Sequence, residues 1–308
     1  MTQNTSRFTQ NLGHWQGTAE VYDGHGRFLG NGSDSRQVQQ LDNGRVRIDV
    51  SFVGPFKHAG HYTIAEAAGS RLYQGPANVG YAETLSSGLV DANAYWPALG
   101  LSQRFFLMVL PDGDTQLSLA LMTRGEKLLY VVVGQNERIR TEDEGRETDA
   151  PSSVLRPPSF LSGTSYDLAH DPAAGRGEIL LHRPGVWSGE LAALDGALRP
   201  LPASQYSEEI TADLQLQLAG MAFVDGTATA VLHTNQWEAW SAAGQLVGSY
   251  SLSGGRALSG HFHFVPGHLR LWRREVVSHD GRHKAVLHTW YRGGERVGVQ
   301  FGVLAFER

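Results

Sequence analysis

The sequence predicts an all-β protein made of two tandem antiparallel domains, and three observations carry the prediction. A short phrase is written twice: Gly13-His14-Trp15-Gln16-Gly17 with Asp23-Gly24 behind it, and Gly185-Val186-Trp187-Ser188-Gly189 with Asp195-Gly196 behind it at the same distance. Asp-Gly and Asn-Gly pairs also separate short apolar runs at Asn43-Gly44, Asp112-Gly113, Asp225-Gly226 and Asp280-Gly281. Such pairs supply the positive φ angles that tight hairpin turns require. Finally, 308 residues suit two domains of ordinary size, each able to bury its own core.

Taken in order, residues 4–12 predict a short helix or 3₁₀ turn leading to the first strand. Strands are predicted over 15–22, 45–53, 60–67, 71–74, 79–84, 103–110, 115–123 and 128–134. Residues 45–52 alternate strictly between polar and apolar, as a strand with one wet face should. Residues 91–101 predict an irregular connection, because Pro97 cannot donate to a ladder. Residues 141–159 are acidic, then Pro/Ser-rich, and read as a linker. The expected domains are therefore 1–140 and 160–308, with one or two further strands over 160–183.

The second half predicts strands over 187–194, 207–218, 227–234, 236–240, 246–252, 259–265, 268–277, 284–291 and 296–305. Its closing phrase matches that of the first half. Arg124-Gly125-Glu126-Lys127 precedes Glu137-Arg138, and Gly294-Glu295-Arg296 precedes Glu307-Arg308. Two units of near-equal length with shared ends are best explained by duplication.

Composition excludes several function classes. Apolar residues make up 41% and charged residues 19%, which fits a globular protein rather than disorder. Net charge is −5 and no Lys/Arg run stands out, so no nucleic-acid partner is predicted. No apolar stretch approaches the roughly 20 residues that span a bilayer. The polar N-terminus lacks a signal pattern, so the expectation is a cytoplasmic protein. There is no Cys, which rules out disulfides, thiolate metal sites and a Cys nucleophile in this chain.

The doubled Gly-x-Trp phrase, the Asp-Gly turn and the closing Arg resemble the calycin superfamily. Asn11-Leu12-Gly13-His14-Trp15-Gln16-Gly17 is more closely similar to an uncharacterised two-barrel family common in cyanobacteria. Some phycobiliprotein lyases share the calycin fold. They attach bilins to a Cys of the target protein, so the missing Cys leaves that role open, but no lyase motif is recognisable. The resemblance implies two tandem antiparallel lipocalin-like (calycin) β-barrels. Trp15 and Trp187 are then expected to plug the barrel floors. Arg138 (or Arg140) would stack on Trp15 and Arg308 on Trp187, a cation–π contact of about 0.5–2 kcal/mol.

Candidate chemistry concentrates late in the chain. His261 and His263 alternate on one strand face, the spacing a sheet metal site would use. His268 or His288 would have to complete such a site. No cofactor is predicted, and the competing reading has both His exposed or lining a cavity. Arg270, Trp272 and Arg274 share one face of the next strand. Leu269, Leu271, Arg273 and Glu275 share the other, and Val286, His288 and Trp290 share a face beyond it. If the Trp272 and Trp290 faces point inward, the cavity would suit an apolar ligand with an acidic group. Outward, the Arg residues are simply solvated. In the first half, His58 and His61 predict a surface hairpin. Tyr81, Glu83, Trp96 and Arg104 are further binding candidates, with Trp96-Pro97 placed where a barrel lid would lie.

The leading functional expectation is a soluble binding protein for a small, largely apolar ligand, which can carry an acidic group, in a barrel cavity. The second is a cofactor-independent enzyme, an isomerase, cyclase or hydratase acting on a terpenoid, carotenoid or polyketide-like substrate. Its residues would come from His261, His263, Arg274, Glu275 and His288. The third is a filled-barrel interaction module. All three direct attention to the second barrel more than the first, and all depend on strand register, since a one-residue slip exchanges every inward and outward side chain.

Overall fold

The structure is a computed structural model that describes residues 9–67, 70–83, 85–86, 88–140, 179–234 and 238–307. The chain divides into two compact units, and each holds a closed antiparallel barrel of ten strands. No helix among the described residues is long and apolar enough to cross a membrane.

The first barrel contains β1 (Gly13–Asp23), β2 (Phe28–Gln40), β3 (Val46–Val53), β4 (Lys57–Ala67), β5 (Ser70–Gln74), β6 (Val79–Glu83), β7 (Leu89–Trp96), β8 (Leu101–Val109), β9 (Thr115–Arg124) and β10 (Lys127–Ile139). From β2 onward each strand pairs with the next, and β10 pairs with β1 to close the ring. A 3₁₀ turn, Thr9–Asn11, leads into β1. The second barrel contains β11 (Gly185–Asp195), β12 (Pro200–Ile210), β13 (Gln215–Ala219), β14 (Thr227–Thr234), β15 (Glu238–Gly244), β16 (Leu246–Ser253), β17 (Ala257–Phe264), β18 (Leu269–Val277), β19 (His283–Arg292) and β20 (Glu295–Glu307). Here β11 pairs with both β12 and β20.

Three elements depart from the sequence expectation. Strand β2 has no counterpart in it, because its sequence, FLGNGSDSRQVQQ, is polar and carries two Gly. Strand β7 occupies most of the stretch expected to be irregular. Pro97 does not break that ladder but follows it, at the start of a 3₁₀ turn (Pro97–Leu99) where no N–H is needed. The predicted strand 207–218 is split by a turn in which Leu214 takes a φ of 60°. Residues 180–182 form a 3₁₀ turn; residues 160–178, where most of the stretch expected to hold one or two further strands falls, and the expected linker 141–159 lie outside the described residues.

The two Trp phrases open the barrels in the same way. Trp15 and Trp187 are both fully buried. Gly13 and Gly185 precede them with φ of +114° and +139°, a region that favours glycine. At Gly185 a Cβ would also stand 2.5 Å from the Phe306 ring.

The interiors differ. In the second barrel the buried apolar residues form one connected core that runs from Leu180 through Trp187, Phe262 and Trp290 to Leu304. In the first they fall into smaller clusters. One surrounds Trp15 with Val38, Val46, Ile64 and Val109. Another joins Ala82, Val90, Ala92 and Leu107, and a third joins Ala19, Val21 and Phe52. Inward side chains explain the contrast. On β1, Trp15 is followed inward by Ala19, whereas on β11 Trp187 is followed by Leu191. On β9 the inward residues are Gln116, Ser118, Ala120 and Met122. On β19 they include Val286 and Trp290. Small inward side chains leave room inside the first barrel; larger ones crowd the described core of the second.

Candidate functional site

The first barrel encloses a cavity of about 390 Å³, within the range of small-molecule sites. Its wall is mainly apolar and aromatic. Phe52 and Phe56 lie 4.7 Å apart, centroid to centroid, and Tyr130 lies 5.6 Å from Phe56. Phe105, Leu107, Ala92 and Val132 continue the lining.

A polar level interrupts this wall, and strand β2 creates it. Asp34 and Arg36 alternate with outward residues, so both point inward between buried Gly32 and Val38. Arg36 Nη2 is bonded to Asp34 Oδ2 and lies 3.5 Å from Ser118 Oγ. The guanidinium sits 5.3 Å over the Phe105 ring. Asn136 Nδ2 donates to Asp34 Oδ2 at 3.1 Å, and Gln116 Nε2 donates to Asn11 Oδ1 at 3.2 Å. Arg36 Nη1 is buried without a hydrogen-bond partner.

Two strands along the wall, on β4, His58 Nε2 and Tyr62 Oη share a 2.6 Å hydrogen bond, and Trp96 meets the His58 ring edge-on at 6.1 Å. Burial lowers the His58 pKa, against the attraction of the Asp34 carboxylate. Burial raises the Tyr62 pKa. Both groups are therefore held in their uncharged forms at neutral pH.

The second barrel holds a sealed ionic cluster instead. Arg273 Nη2 donates to Glu208 Oε2 at 2.6 Å and its Nε to Glu275 Oε1 at 2.7 Å. Lys284 Nζ lies 3.0 Å from Glu208 and 3.4 Å from Glu275. His288 Nε2 donates to Glu275 Oε1 at 2.7 Å. Burial opposes ionisation of Glu275, but Arg273, Lys284 and the His288 bond hold its pKa well below the usual carboxylate range. Burial also lowers the His288 pKa, against the pull of Glu275. Two carboxylates are thus matched by two cations beside a neutral imidazole, a balance that lets charges persist out of water.

The structure distributes the sequence candidates as follows. Trp96 lines the first cavity. Tyr81 lies on the outer wall, 52% exposed. Arg104 faces outward and pairs with Asp91 and Asn93, while Glu83 is half-buried at the end of β6. Among the late candidates, Arg273, Glu275, His288 and Trp290 point into the second core. Arg270, Trp272 and Arg274 occupy the opposite face of β18. His261 stacks on Trp272 at 5.5 Å, and Arg274 lies 4.0 Å over the same indole. His261 and His263 are exposed, with Phe262 and Phe264 turned inward between them. The described residues contain no group of three metal-ligating side chains. His58 and His61 are not in a turn but on β4, His58 inward and His61 exposed. Arg138 lies 4.2 Å over Trp15. Arg308 lies outside the described residues; the described cations over Trp187 are Lys284 at 5.0 Å and Arg183 at 5.7 Å.

Sequence reasoning passed over Asp34, Arg36 and Tyr62, and placed His58 in a surface hairpin. The available signal was the alternation of Gly32, Asp34, Arg36 and Val38, masked because inward residues of a strand are expected to be apolar.

No protein-family model and no curated protein matches the sequence. Among solved structures, a protein of unknown function from the DUF3598 family of Nostoc punctiforme matches over 100% of both chains. The identity is 14% and the TM-score 0.58. An S-type phycobiliprotein lyase from Guillardia theta matches 43% of this chain and 90% of its own, at 8% identity and a TM-score of 0.36. A protein bound to DFHBI, EF1p2_mFAP2b, matches 44% of this chain and 100% of its own, at 11% identity and a TM-score of 0.28. The two-barrel fold is shared along its whole length with the cyanobacterial protein, the kind of protein that the opening Trp phrase resembles.

Proposed function

We propose that the chain is a binding protein for a small, largely apolar molecule, and that the first barrel is where it binds. The observation that carries this reading is the 390 Å³ cavity, walled mainly by aromatic and aliphatic side chains and crossed by the Asp34–Arg36 pair. Its volume and composition fit a compact ligand held by area burial and oriented by a few polar groups. The second barrel, with its connected apolar core, serves as a structural domain in this reading. The acidic ligand group suggested by Arg270 and Arg274 has no support here, because neither residue lines this cavity.

Titration of the full chain with an apolar fluorescent probe tests the reading, with native mass spectrometry giving stoichiometry. One probe molecule per chain is expected. Ala120→Phe places a ring in the cavity, since Ala120 points inward from β9, and should remove binding while the far-ultraviolet spectrum stays unchanged. Unaltered binding by a folded Ala120→Phe protein would refute the proposed site.

A further inference from the structure

The inference rests on the binding function just proposed and concerns the polar group of the ligand. The charged side chains lining the cavity are Asp34, Arg36 and Lys57. Lys57 is exposed. Inside, Asp34 already neutralises Arg36. A second anion at this level would be buried with no cation of its own, a costly arrangement.

His58 and Tyr62 on β4 add no positive charge, for a reason built into the strand. Arg36, Val50 and Gly60 are register neighbours across β2, β3 and β4. Two strand spacings put Arg36 and Gly60 roughly 10 Å apart. His58 and Tyr62 flank Gly60 on the same face of β4 and lean across it to bond with one another. A Cβ at position 60 would stand 2.9 Å from Tyr62 Oη and 3.4 Å from His58 Nε2. The glycine therefore lets the pair form, and the pair directs its polarity inward on itself. Burial keeps both members uncharged.

Among the described lining residues, Tyr73 Oη and one nitrogen of Arg36 are buried donors without a partner. Arg36 Nη2 serves Asp34 and Ser118, while Nη1 lies buried at the cavity without an acceptor. An unmet buried donor favours any ligand that brings an acceptor. We infer that the cavity takes an uncharged, largely apolar carbonyl compound, whose oxygen accepts a hydrogen bond from Arg36 Nη1, and that it discriminates against carboxylates of the same skeleton.

Three naphthylamine probes of one skeleton test this on the full chain: an aryl ketone, the matching carboxylate and a carbonyl-free alkyl analogue. The ketone is expected to bind about tenfold more tightly than either of the others. Its emission should be red-shifted relative to the same dye in dry hydrocarbon, because its carbonyl accepts a hydrogen bond. In Arg36→Met combined with Asp34→Asn, which leaves no lone buried charge, the ketone should fall to the affinity of the alkyl analogue. The emission shift is read on the unaltered protein, so the test does not depend on that variant folding. A carboxylate that binds as tightly as the ketone, or a ketone no tighter than the alkyl analogue, overturns the inference while leaving the binding function standing. If none of the three binds, the binding function itself fails and this inference falls with it.

Discussion

Arg138 lies 4.2 Å over the ring of Trp15, its register partner across β1 and β10. The same guanidinium donates to the carbonyls of Leu12, Gln10 and Gly113. Arg138 therefore joins the entry turn, the first strand and the turn between β8 and β9. The corresponding register partner of Trp187 is Phe306, not an Arg. Arg183, which precedes Trp187, lies 3.5 Å over Phe306. The duplicated floors are thus closed by different chemistry.

Removing Arg138 should cost more than removing a surface cation. Arg138→Ala loses the cation–π contact and the carbonyl bonds, and about 2–4 kcal/mol of destabilisation is expected. Arg140, whose side chain is 71% exposed in its pair with Asp114, should contribute less than about 1 kcal/mol. Urea unfolding followed by Trp fluorescence compares the two, and equal losses would contradict the role assigned to Arg138.

The sealed cluster in the second barrel makes a different prediction. Glu275→Gln leaves Arg273 and Lys284 facing one carboxylate in a site where all are buried. Breaking such a pair is expected to destabilise by about 3–5 kcal/mol. Replacing Glu208, Arg273, Glu275 and Lys284 together by apolar residues of similar volume should cost far less, because no charge is stranded. Calorimetric unfolding of both variants checks the ordering; a single variant no worse than the fourfold one would show that the cluster is not ion-paired.

Acid should unfold the second barrel in two stages. Burial, with the charges of Arg273 and Lys284, lowers the His182 pKa to about 4, and burial lowers that of His288 too. Both imidazoles are held neutral when folded. Their contribution is complete above the unfolded value of about 6.5 and is lost as pH falls toward the folded value. For His182 the loss amounts to about 3 kcal/mol. Glu275, held low, contributes above about 4.3 and loses that contribution only below it, as pH falls through its folded pKa. Unfolding free energy measured between pH 7.5 and 4 should therefore fall with decreasing pH, and His182→Gln should flatten the upper part of that slope. An unchanged slope would show that His182 does not titrate on unfolding.

The fold was legible because it is written in local chemistry. Asp-Gly turns and the repeated Trp phrase depend on residues next to each other in the chain. The site was less so. Strand β2 carries Asp34 and Arg36 on its inward face, an inversion of the pattern by which strands are recognised. His58 looked like a turn residue because Gly60 lies beside it, and only the register across β3 and β4 shows that the glycine clears space for the His58–Tyr62 bond. Glu275 and His288 were adjacent candidates in sequence, and the structure joins them, but within a core. Which barrel keeps more room depends on Ala19 against Leu191 and Ala120 against His288, differences of volume that carry no periodic signal.

The contrast between a roomier and a more crowded barrel can itself be reversed. Trp290 is fully buried at the second core, 6.3 Å from the Phe223 ring. Trp290→Ala should create an apolar void and destabilise the protein by about 3–5 kcal/mol. Ala120→Phe adds volume where space already exists, so its stability should change by less than about 1.5 kcal/mol. The two variants should move binding in opposite directions: the first gains a second, weaker probe site, and the second loses the original one. Probe stoichiometry by native mass spectrometry, beside thermal unfolding of each variant, reads both effects. A destabilised Ala120→Phe protein with a stable Trp290→Ala protein would mean that the inward space has been assigned to the wrong barrel.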